Sequence, residues 1–194
     1  MISGEHHHSR DVFSAERAGH LDTPLRRILY HPERIAGKYV KPGDRVLDFG
    51  CGPGFFTREF AKKAGDGGLV IAADLQEEML AIVRQKMGAE GLLSRIKTHR
   101  CLPDTLNLSP EKESPVNVAF AIFVVHEVPD REKLFREIAA MLVPGGIFFY
   151  SEPPFLVSGK EFRDNLALLK RDGFRVIESR WFFVNRAAVL RKEK

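Results

Sequence analysis

The hydrophobic residues of this chain form short continuous runs that alternate with longer segments whose apolar positions recur at helical spacing. Continuous apolar runs are typical of strands covered on both faces, and helical spacing is typical of helices that pack on a sheet. Strands are predicted at 45–49, 69–73, 95–99, 116–124, 147–151, 175–182 and 186–191. Helices are predicted at 55–64, 76–89, 131–142 and 160–171. This alternation of strand and helix predicts an α/β domain.

Turn and cap residues set the predicted ends of several elements. Asp130 is expected as the N-cap of the helix that runs to Leu142, and the sequence Pro144-Gly145-Gly146 is expected to end that helix. A short turn near Asn185 is expected to join the last two strands. These two strands are therefore predicted to form a hairpin at the end of the chain.

Two shorter helical patterns precede the first strand. Pro24 and Pro32 each stand where a helix would begin, so short helices are predicted at 25–30 and from Pro32 through Val40. Residues 1–23 are polar and lack either periodicity, and we expect them to be mobile unless they dock on the body. Residues 1–40 are thus expected to be a terminus and helical cap of the same domain as the core at 41–194.

The stretch from Val46 to Thr57 carries the most specific functional signal. An apolar strand with an acid, Asp48, is followed there by three alternating glycines: Gly50, Gly52 and Gly54. Such a turn lets a ligand approach main-chain N–H groups, and the helix that follows directs its positive end to the same place. Asp74 ends the second strand, where a carboxylate can accept hydrogen bonds from both hydroxyls of a ribose. The whole pattern is typical of nucleoside binding.

Two ligand classes use this pattern, and the glycine spacing separates them. A dinucleotide site has the sequence G-x-G-x-x-G, whereas this chain has D-x-G-x-G-x-G with Phe55 at the position after the last glycine. The acid, Asp48, favours a cationic ligand and disfavours a pyrophosphate through like-charge repulsion. At these residues the chain resembles the class I S-adenosylmethionine-dependent methyltransferases, in particular the small type 11 methyltransferase-domain proteins, over roughly residues 40–191.

The resemblance implies a fold, a cofactor and a set of contacts. The implied fold is a single Rossmann-like, doubly wound sheet of seven strands, mostly parallel, with an antiparallel last strand inserted between the fifth and sixth. The implied cofactor is S-adenosyl-L-methionine, which direct in-line methyl transfer converts to S-adenosyl-L-homocysteine. Asp48 would orient the glycine loop, Asp74 would hold the ribose, and Leu75 would cover the adenine. The predicted cofactor-binding residues are Asp48, Gly50, Cys51, Gly52, Gly54, Asp74, Leu75, Cys101 and Leu102.

The loop after the third strand departs from the family pattern. Many members have Asp-Ala there, and the Asp binds the adenine amino group, but this chain has Arg100-Cys101-Leu102-Pro103-Asp104. The position of the missing Asp falls near Cys101 or Leu102. Either Asp104 substitutes from further along the chain, or main-chain groups hold the adenine, and we favour the main chain.

Two candidate catalytic residues, His126 and Glu127, follow the fourth strand at the edge where open α/β sheets bind ligands. His126 could accept a proton from an acceptor hydroxyl or amine, and Glu127 could do the same or anchor a cationic substrate. A structural role for His126, as a helix cap or a loop hydrogen bond, stays open.

The sequence Glu152-Pro153-Pro154-Phe155 resembles the Asn-Pro-Pro-Tyr/Phe signature of amino-group methyltransferases only superficially. It follows the fifth strand and lacks the Asn, so no function is assigned to it.

Composition narrows the remaining alternatives. With 194 residues, 44% of them hydrophobic, the chain is long enough for one core and short for two. Cys51 and Cys101 are the two cysteines, too few for a disulfide framework and without metal-ligand spacing, so reduced thiols and no metal site are expected. The histidine run at 6–8 is expected to be solvated tail rather than a metal tract. No apolar run reaches a bilayer-spanning length, so a cytoplasmic protein without a membrane partner is expected.

Charge keeps a second functional class open. The net charge is +4, and residues 156–194 hold ten Lys or Arg against five Asp or Glu. Such a segment could attract nucleic acid, although solvated helix and strand faces explain most charge runs.

The leading hypothesis is a methyltransferase that acts on a small molecule. The alternatives are a nucleic-acid or protein methyltransferase that uses the basic segment, and a nucleoside-cofactor-binding protein without catalysis or a dinucleotide-dependent oxidoreductase. Neither the acceptor nor the oligomeric state follows from the sequence.

Overall fold

The protein is described from a computed structural model over residues 28–193. Residues 28–30 are helical, whereas the predictions for the terminus at 1–23 and for the start of the helix at 25–30 lie outside the described residues. None of the helices in the described part of the chain is long and apolar enough to span a membrane.

A seven-stranded sheet forms the centre of the molecule. Its strands are β1 (Arg45–Phe49), β2 (Leu69–Asp74), β3 (Ile96–Arg100), β4 (Val116–Ile122), β5 (Leu142–Glu152), β6 (Phe174–Phe182) and β7 (Asn185–Lys192). The order across the sheet is β3-β2-β1-β4-β5-β7-β6. The first five strands pair in parallel, and β7 is antiparallel to both of its neighbours. The predicted Rossmann-like fold with an antiparallel last strand is confirmed.

Helices cover both faces of this sheet, because successive strand residues point to opposite sides. The helices are α1 (Pro32–Tyr39), α2 (Thr57–Ala64), α3 (Glu77–Ala89), α4 (Arg131–Met141) and α5 (Gly159–Arg171). Two single 3₁₀ turns, Leu93–Arg95 and Val125–Glu127, precede β3 and follow β4. Val46 of β1 packs in the core beneath α1, α2 and α3, and the adjacent Leu47 packs in the core beneath α4 and α5.

The predicted ends of elements hold in part. Asp130 caps α4, since its Oδ1 accepts a hydrogen bond from the main-chain N–H of Lys133 at 2.8 Å. However, α4 ends at Met141 and β5 begins at once with Leu142, so Pro144-Gly145-Gly146 lies inside β5 and does not form a turn before it. An irregularity in the β4–β5 register and a φ of 78° at Gly145 accommodate this sequence within the strand.

The turn between β6 and β7 lies immediately before Asn185, close to the predicted position. It is formed by Phe183, at a φ of 57°, and Val184. Asn185 instead begins β7, where it is buried and its Nδ2 donates to the carbonyl of Phe182 at 3.1 Å. The hairpin itself is as predicted, and its tip lies beside the cavity described below.

Candidate functional site

A cavity of about 500 Å³ opens at the carboxyl ends of the central strands, between the loops that follow β1, β2, β3, β4 and β5. The chain order reverses between β1 and β4, which makes this the switch point at which α/β sheets bind ligands. The volume suits a nucleoside-sized ligand. Of the eleven predicted site residues, nine line the cavity: Gly50, Cys51, Gly52, Asp74, Leu75, Cys101, Leu102, His126 and Glu127.

Asp74 fastens the glycine loop to the end of β2. Its Oδ2 accepts from the N–H of Gly52 at 2.8 Å, and its Oδ1 accepts from the N–H of Gln76 at 2.9 Å. Gly52 has a φ of 52°, so a non-glycine residue there would strain the loop. Burial raises the pKa of the Asp74 carboxyl, and the main-chain hydrogen bonds oppose this rise. The carboxylate is therefore held in one orientation at the cavity wall, with lone pairs left to accept further hydrogen bonds.

Gly50 lets the loops after β1 and β4 touch. A Cβ at this position would lie 2.3 Å from Cγ2 of Val124, a distance that real Cβ atoms essentially never show. Val124 also lines the cavity and stands two residues before His126. The absence of a side chain at Gly50 thus sets the distance between the glycine loop and the segment that carries the candidate catalytic residues.

The structure places Asp48 and Gly54 outside the cavity. Asp48 is buried and its Oδ2 accepts from Oγ1 of Thr57 at 2.6 Å, which joins β1 to the first turn of α2. Burial raises the pKa of this carboxyl to about 7. Gly54 has a φ of 85° and packs against α3, where an added Cβ would lie 3.0 Å from Cε of Met87. Both residues shape the loop from beneath, and neither of them lines the cavity.

Two main-chain N–H groups of the loop after β3 are already used within the protein, which limits how the main chain of this loop could hold an adenine. The N–H of Cys101 donates to the carbonyl of Asp74 at 2.9 Å, and the N–H of Leu102 donates to the carbonyl of Thr105 at 3.0 Å. Asp104 does not line this cavity, is largely exposed and pairs with Lys133 at 3.3 Å. Burial raises the pKa of the Cys101 thiol to about 12, so this thiol is neutral. An adenine amino group would therefore meet main-chain carbonyl or thiol acceptors here.

Glu137 of α4, which the sequence did not single out, holds the same loop in place. Its two carboxylate oxygens accept from Oγ1 of Thr105 and from the N–H of Leu106, each at 2.6 Å. The ring of His99 makes a further hydrogen bond of 2.9 Å with the carbonyl of Leu106. Sequence spacing could not show this role, because Glu137 and Leu106 are 31 positions apart.

His126 lies at the cavity on the 3₁₀ turn after β4, and its ring is fixed by a buried acid. Nδ1 of His126 lies 2.7 Å from Oε2 of Glu152, the last residue of β5, and the N–H of His126 donates to Oε1 of Glu152 at 3.3 Å. The side chain of Glu152 is fully buried. Burial raises the pKa of its carboxyl, and His126 opposes the rise. Nε2 of His126 lies 3.9 Å from Oε1 of Glu127.

Sequence reasoning missed Glu152, although one signal could have found it. The residue ends a strand that is adjacent to β4 in the sheet, so its side chain and His126 meet at one edge. The position of an acid at the carboxyl end of β5 was the informative feature.

An aromatic wall covers the other side of the cavity. Tyr30, which precedes α1, lies 5.4 Å from Phe123, 5.5 Å from Phe182 and 5.7 Å from Phe183, measured between ring centroids. Tyr30 and Phe123 both line the cavity, as does Phe155, whose side chain is mostly exposed at 79%. The segment before the core and the β6–β7 hairpin therefore contribute aromatic side chains to this part of the cavity and its surroundings.

Comparison with known proteins places this geometry in a family. The model of a family described as "Methyltransferase domain" matches residues 46–146, more than half of the chain. The ubiquinone/menaquinone biosynthesis C-methyltransferase of Vibrio campbellii is 30% identical over 117 residues, which cover 59% of this chain and 44% of that protein. The corresponding protein of Pseudoalteromonas translucida is 28% identical over 137 residues, 69% of this chain and 53% of that protein. The chain thus spans about half the length of the curated relatives it matches.

Solved structures show the same fold. A SAM-dependent methyltransferase from Aquifex aeolicus superposes with a TM-score of 0.82 at 24% identity, over 93% of this chain and 100% of that one. Its likeness, at this identity, concerns the fold. The family match covers the strand, glycine loop and Asp74 that build the cavity wall, as well as the segment that carries His126. On this evidence the chain belongs to the class I S-adenosylmethionine-dependent methyltransferase family.

Proposed function

We propose that this protein transfers a methyl group from S-adenosylmethionine to a small-molecule acceptor. The observation that carries the proposal is the single cavity wall that runs from the glycine loop and Asp74 to His126. One end has the features of a nucleoside site, and the other end has a proton acceptor held by a buried carboxylate. A cofactor and an acceptor could therefore bind side by side in one cavity.

The residues present fit the cofactor. The loop at Gly50 and Gly52 allows close approach of a ligand to the main chain, and Asp74 offers carboxylate lone pairs to ribose hydroxyls. Asp74 and Glu127 are carboxylates among the described lining residues, and carboxylates favour a cationic sulfonium ligand. When bound, S-adenosylmethionine supplies an electrophilic methyl group on sulfur, and direct displacement leaves S-adenosylhomocysteine. Leu75 and Met79 also line the cavity and supply apolar contacts for a base.

The contribution of the protein is mainly positioning. Holding two reactants in line can lower a barrier by about 7–11 kcal/mol. Here the aromatic wall around Tyr30 and Phe123 excludes water from the acceptor side, and His126 accepts the proton that an acceptor hydroxyl or amine loses. Glu127, 3.9 Å from Nε2 of His126, is placed to contact the acceptor beside it.

The basic C-terminal segment gives little support for a nucleic-acid acceptor, because several of its cations are already paired within the protein. Arg171, Arg175 and Arg180 pair with Glu132, Glu193 and Glu178, at 2.7, 3.1 and 3.3 Å. Lys192 donates to two main-chain carbonyls at 2.7 Å. These four cations are engaged within the protein, and none of them lines the cavity. The small-molecule acceptor fits the apolar wall better, and the relatives named for quinone biosynthesis make aromatic acceptors the first to screen.

Calorimetry with S-adenosylhomocysteine and NAD in parallel tests the cofactor. We expect binding of S-adenosylhomocysteine in the micromolar range or tighter, and no comparable binding of NAD. Tight binding of NAD alone would refute the proposal and favour an oxidoreductase. A methyl-transfer screen with labelled cofactor over pooled aromatic metabolites and RNA then tests the acceptor. Binding without transfer to any pool would favour the non-catalytic alternative.

His126→Ala separates catalysis from structure. If His126 accepts the proton, we expect the affinity for S-adenosylhomocysteine to stay within about twofold and turnover to fall about 10²- to 10⁴-fold. A merely structural residue would lower the stability by about 1 kcal/mol and leave turnover nearly unchanged in the folded variant. Melting temperature, cofactor affinity and turnover measured on the same sample distinguish these outcomes.

A further inference from the structure

Glu152 is an acid whose side chain has no contact with solvent. Its side chain is fully buried, it ends β5, and both of its carboxylate oxygens point to His126. Leaving an acid in such a position is costly unless it is paired and hydrogen-bonded. Its neighbour on β7 in the sheet register, Arg186, makes no described ion pair with it, and Nη1 of Arg186 donates to the carbonyl of Val157 at 2.9 Å. The described side-chain partner of the Glu152 carboxylate is therefore the imidazole, beside the main-chain N–H of His126.

The contact at Nδ1 determines which nitrogen of the ring is a base. When Glu152 is ionised its oxygens can only accept hydrogen bonds, and Nδ1, 2.7 Å from Oε2, is then the nitrogen that carries the hydrogen and donates it. In the neutral ring the other nitrogen, Nε2, then has the lone pair. His126 lines the cavity, and its ring stays largely buried at 8% exposure of the side chain.

We propose that Glu152 is a positioning residue that holds His126 with Nδ1 protonated and Nε2 ready to accept a proton, so that the natural acceptor is a neutral molecule whose nucleophilic atom carries a hydrogen. This inference rests on the proposed function and names the class of its substrate. In the reaction, a lone pair of the acceptor oxygen or nitrogen forms the new bond to the methyl carbon. The carbon–sulfur bond breaks with its electron pair left on sulfur, and the acceptor proton passes to Nε2 of His126. The resulting imidazolium is paired with the Glu152 carboxylate.

The charges around the pair favour this direction of proton transfer. Glu127, from the same 3₁₀ turn, lies 3.9 Å from Nε2, so a second carboxylate faces the imidazolium. Tyr150 on β5 is neutral, because burial and the charge of Glu152 both raise the pKa of its phenol. Its hydroxyl accepts from Nδ2 of Asn165 at 2.8 Å. The groups that face the pair from β5, α5 and its own turn are thus acidic or neutral, and the cation opposite Glu152 in the β5–β7 register, Arg186, has its Nη1 bonded to the carbonyl of Val157.

The first test reads the tautomer of the wild-type protein, with no activity required. Nitrogen-15 NMR of the full chain labelled at histidine, assigned by comparison with His126→Gln, gives the protonation of each ring nitrogen. At pH values at which the ring is neutral, we expect His126 to carry its hydrogen on Nδ1. A hydrogen on Nε2 would overturn the proposal, even if the protein binds S-adenosylhomocysteine and transfers methyl groups.

The second test uses Glu152→Gln with Glu152→Asp as the conservative variant. For a hydroxyl acceptor we expect Glu152→Gln to lower kcat at least tenfold and to leave the affinity for S-adenosylhomocysteine within about twofold. The acid limb of its pH–rate profile should move to lower pH, because the negative charge that favours the imidazolium is gone. Glu152→Asp should recover part of the rate and the original limb. Glu132→Gln, which alters a partly exposed acid of α4, is the matched control and should retain full activity.

The outcomes separate this inference from the proposed function. If S-adenosylhomocysteine fails to bind the wild type, the proposed function fails, and the NMR experiment still decides the His126–Glu152 arrangement. If methyl transfer proceeds and Glu152→Gln keeps its rate and its pH profile, Glu152 only caps the 3₁₀ turn and the inference is wrong. If neither variant folds, the tautomer of the wild type remains the deciding measurement.

Discussion

Replacing Asp48 by Asn should remove a pH-dependent cost of folding. The carboxyl is buried at 3% exposure, and its described side-chain partner is the hydroxyl of Thr57. Burial raises its pKa from the ordinary value of 3.8 to about 7. The folded protein therefore binds this proton more tightly than the unfolded chain does. The proton on Asp48 therefore stabilises the folded protein. Its contribution to the free energy of unfolding is complete below about pH 4, decreases as the pH rises to about 7, and is absent above that.

The size of the effect follows from the two pKa values. Each pH unit between them changes the free energy of unfolding by about 1.4 kcal/mol, so the full loss between pH 4 and pH 7 is about 4 kcal/mol. Asn keeps an oxygen that can accept from Thr57 but cannot ionise. Its buried NH₂ group costs about 1–3 kcal/mol if it finds no partner, and this cost does not depend on pH. The quantity to measure is therefore how the difference in unfolding free energy between wild type and variant changes with pH.

Denaturant unfolding of both proteins from pH 5 to pH 8 tests this prediction. We expect the variant to gain about 3 kcal/mol on the wild type between these limits. Asp164→Asn is the control, because its side chain is exposed and pairs with Lys160 on the surface of α5. This control should show a difference below about 1 kcal/mol at every pH. A constant difference between Asp48→Asn and wild type, or a variant that loses stability as the pH rises, would refute the reasoning.

Three further substitutions probe the site and its frame. Asp74→Ala should weaken S-adenosylhomocysteine binding about 10- to 150-fold by calorimetry, because a charged acceptor that also holds the glycine loop is lost; unchanged affinity would remove Asp74 from the site. Gly50→Ala should lower the melting temperature because its Cβ would overlap Val124, whereas Gly88→Ala, with open space around it in α3, should raise stability by about 1 kcal/mol; equal effects would contradict the contact. Asp130→Ala should cost about 1 kcal/mol of unfolding free energy through loss of the α4 cap, and no loss would show that the cap contributes nothing.

The regular elements and the nucleoside-binding wall could be predicted because their signals are local. A continuous apolar run, a helical repeat or an alternating glycine pattern acts on residues within a few positions of one another. Asp74 was recognisable for the same reason, since it ends a strand at the edge where ligands bind. The insertion of β7 between β5 and β6 came from resemblance to the family, because periodicity holds no information on strand order.

The contacts that prepare the site came only from the tertiary structure. Asp48 belongs to the same short motif as the glycines, yet it points away from the cavity to Thr57, a direction that strand register and packing decide. Glu137 reaches the loop at Leu106 from 31 positions away.

The link between His126 and Glu152 shows the same division most clearly. Each residue could be placed at the end of its own strand from the sequence, but their contact depends on β4 and β5 lying side by side. The sequence by itself determined which residues have the chemistry, because residue type and local spacing are written in it. The tertiary structure alone decided which of them meet, since a hydrogen bond of 2.7 Å between groups 26 positions apart requires the whole sheet to bring them together.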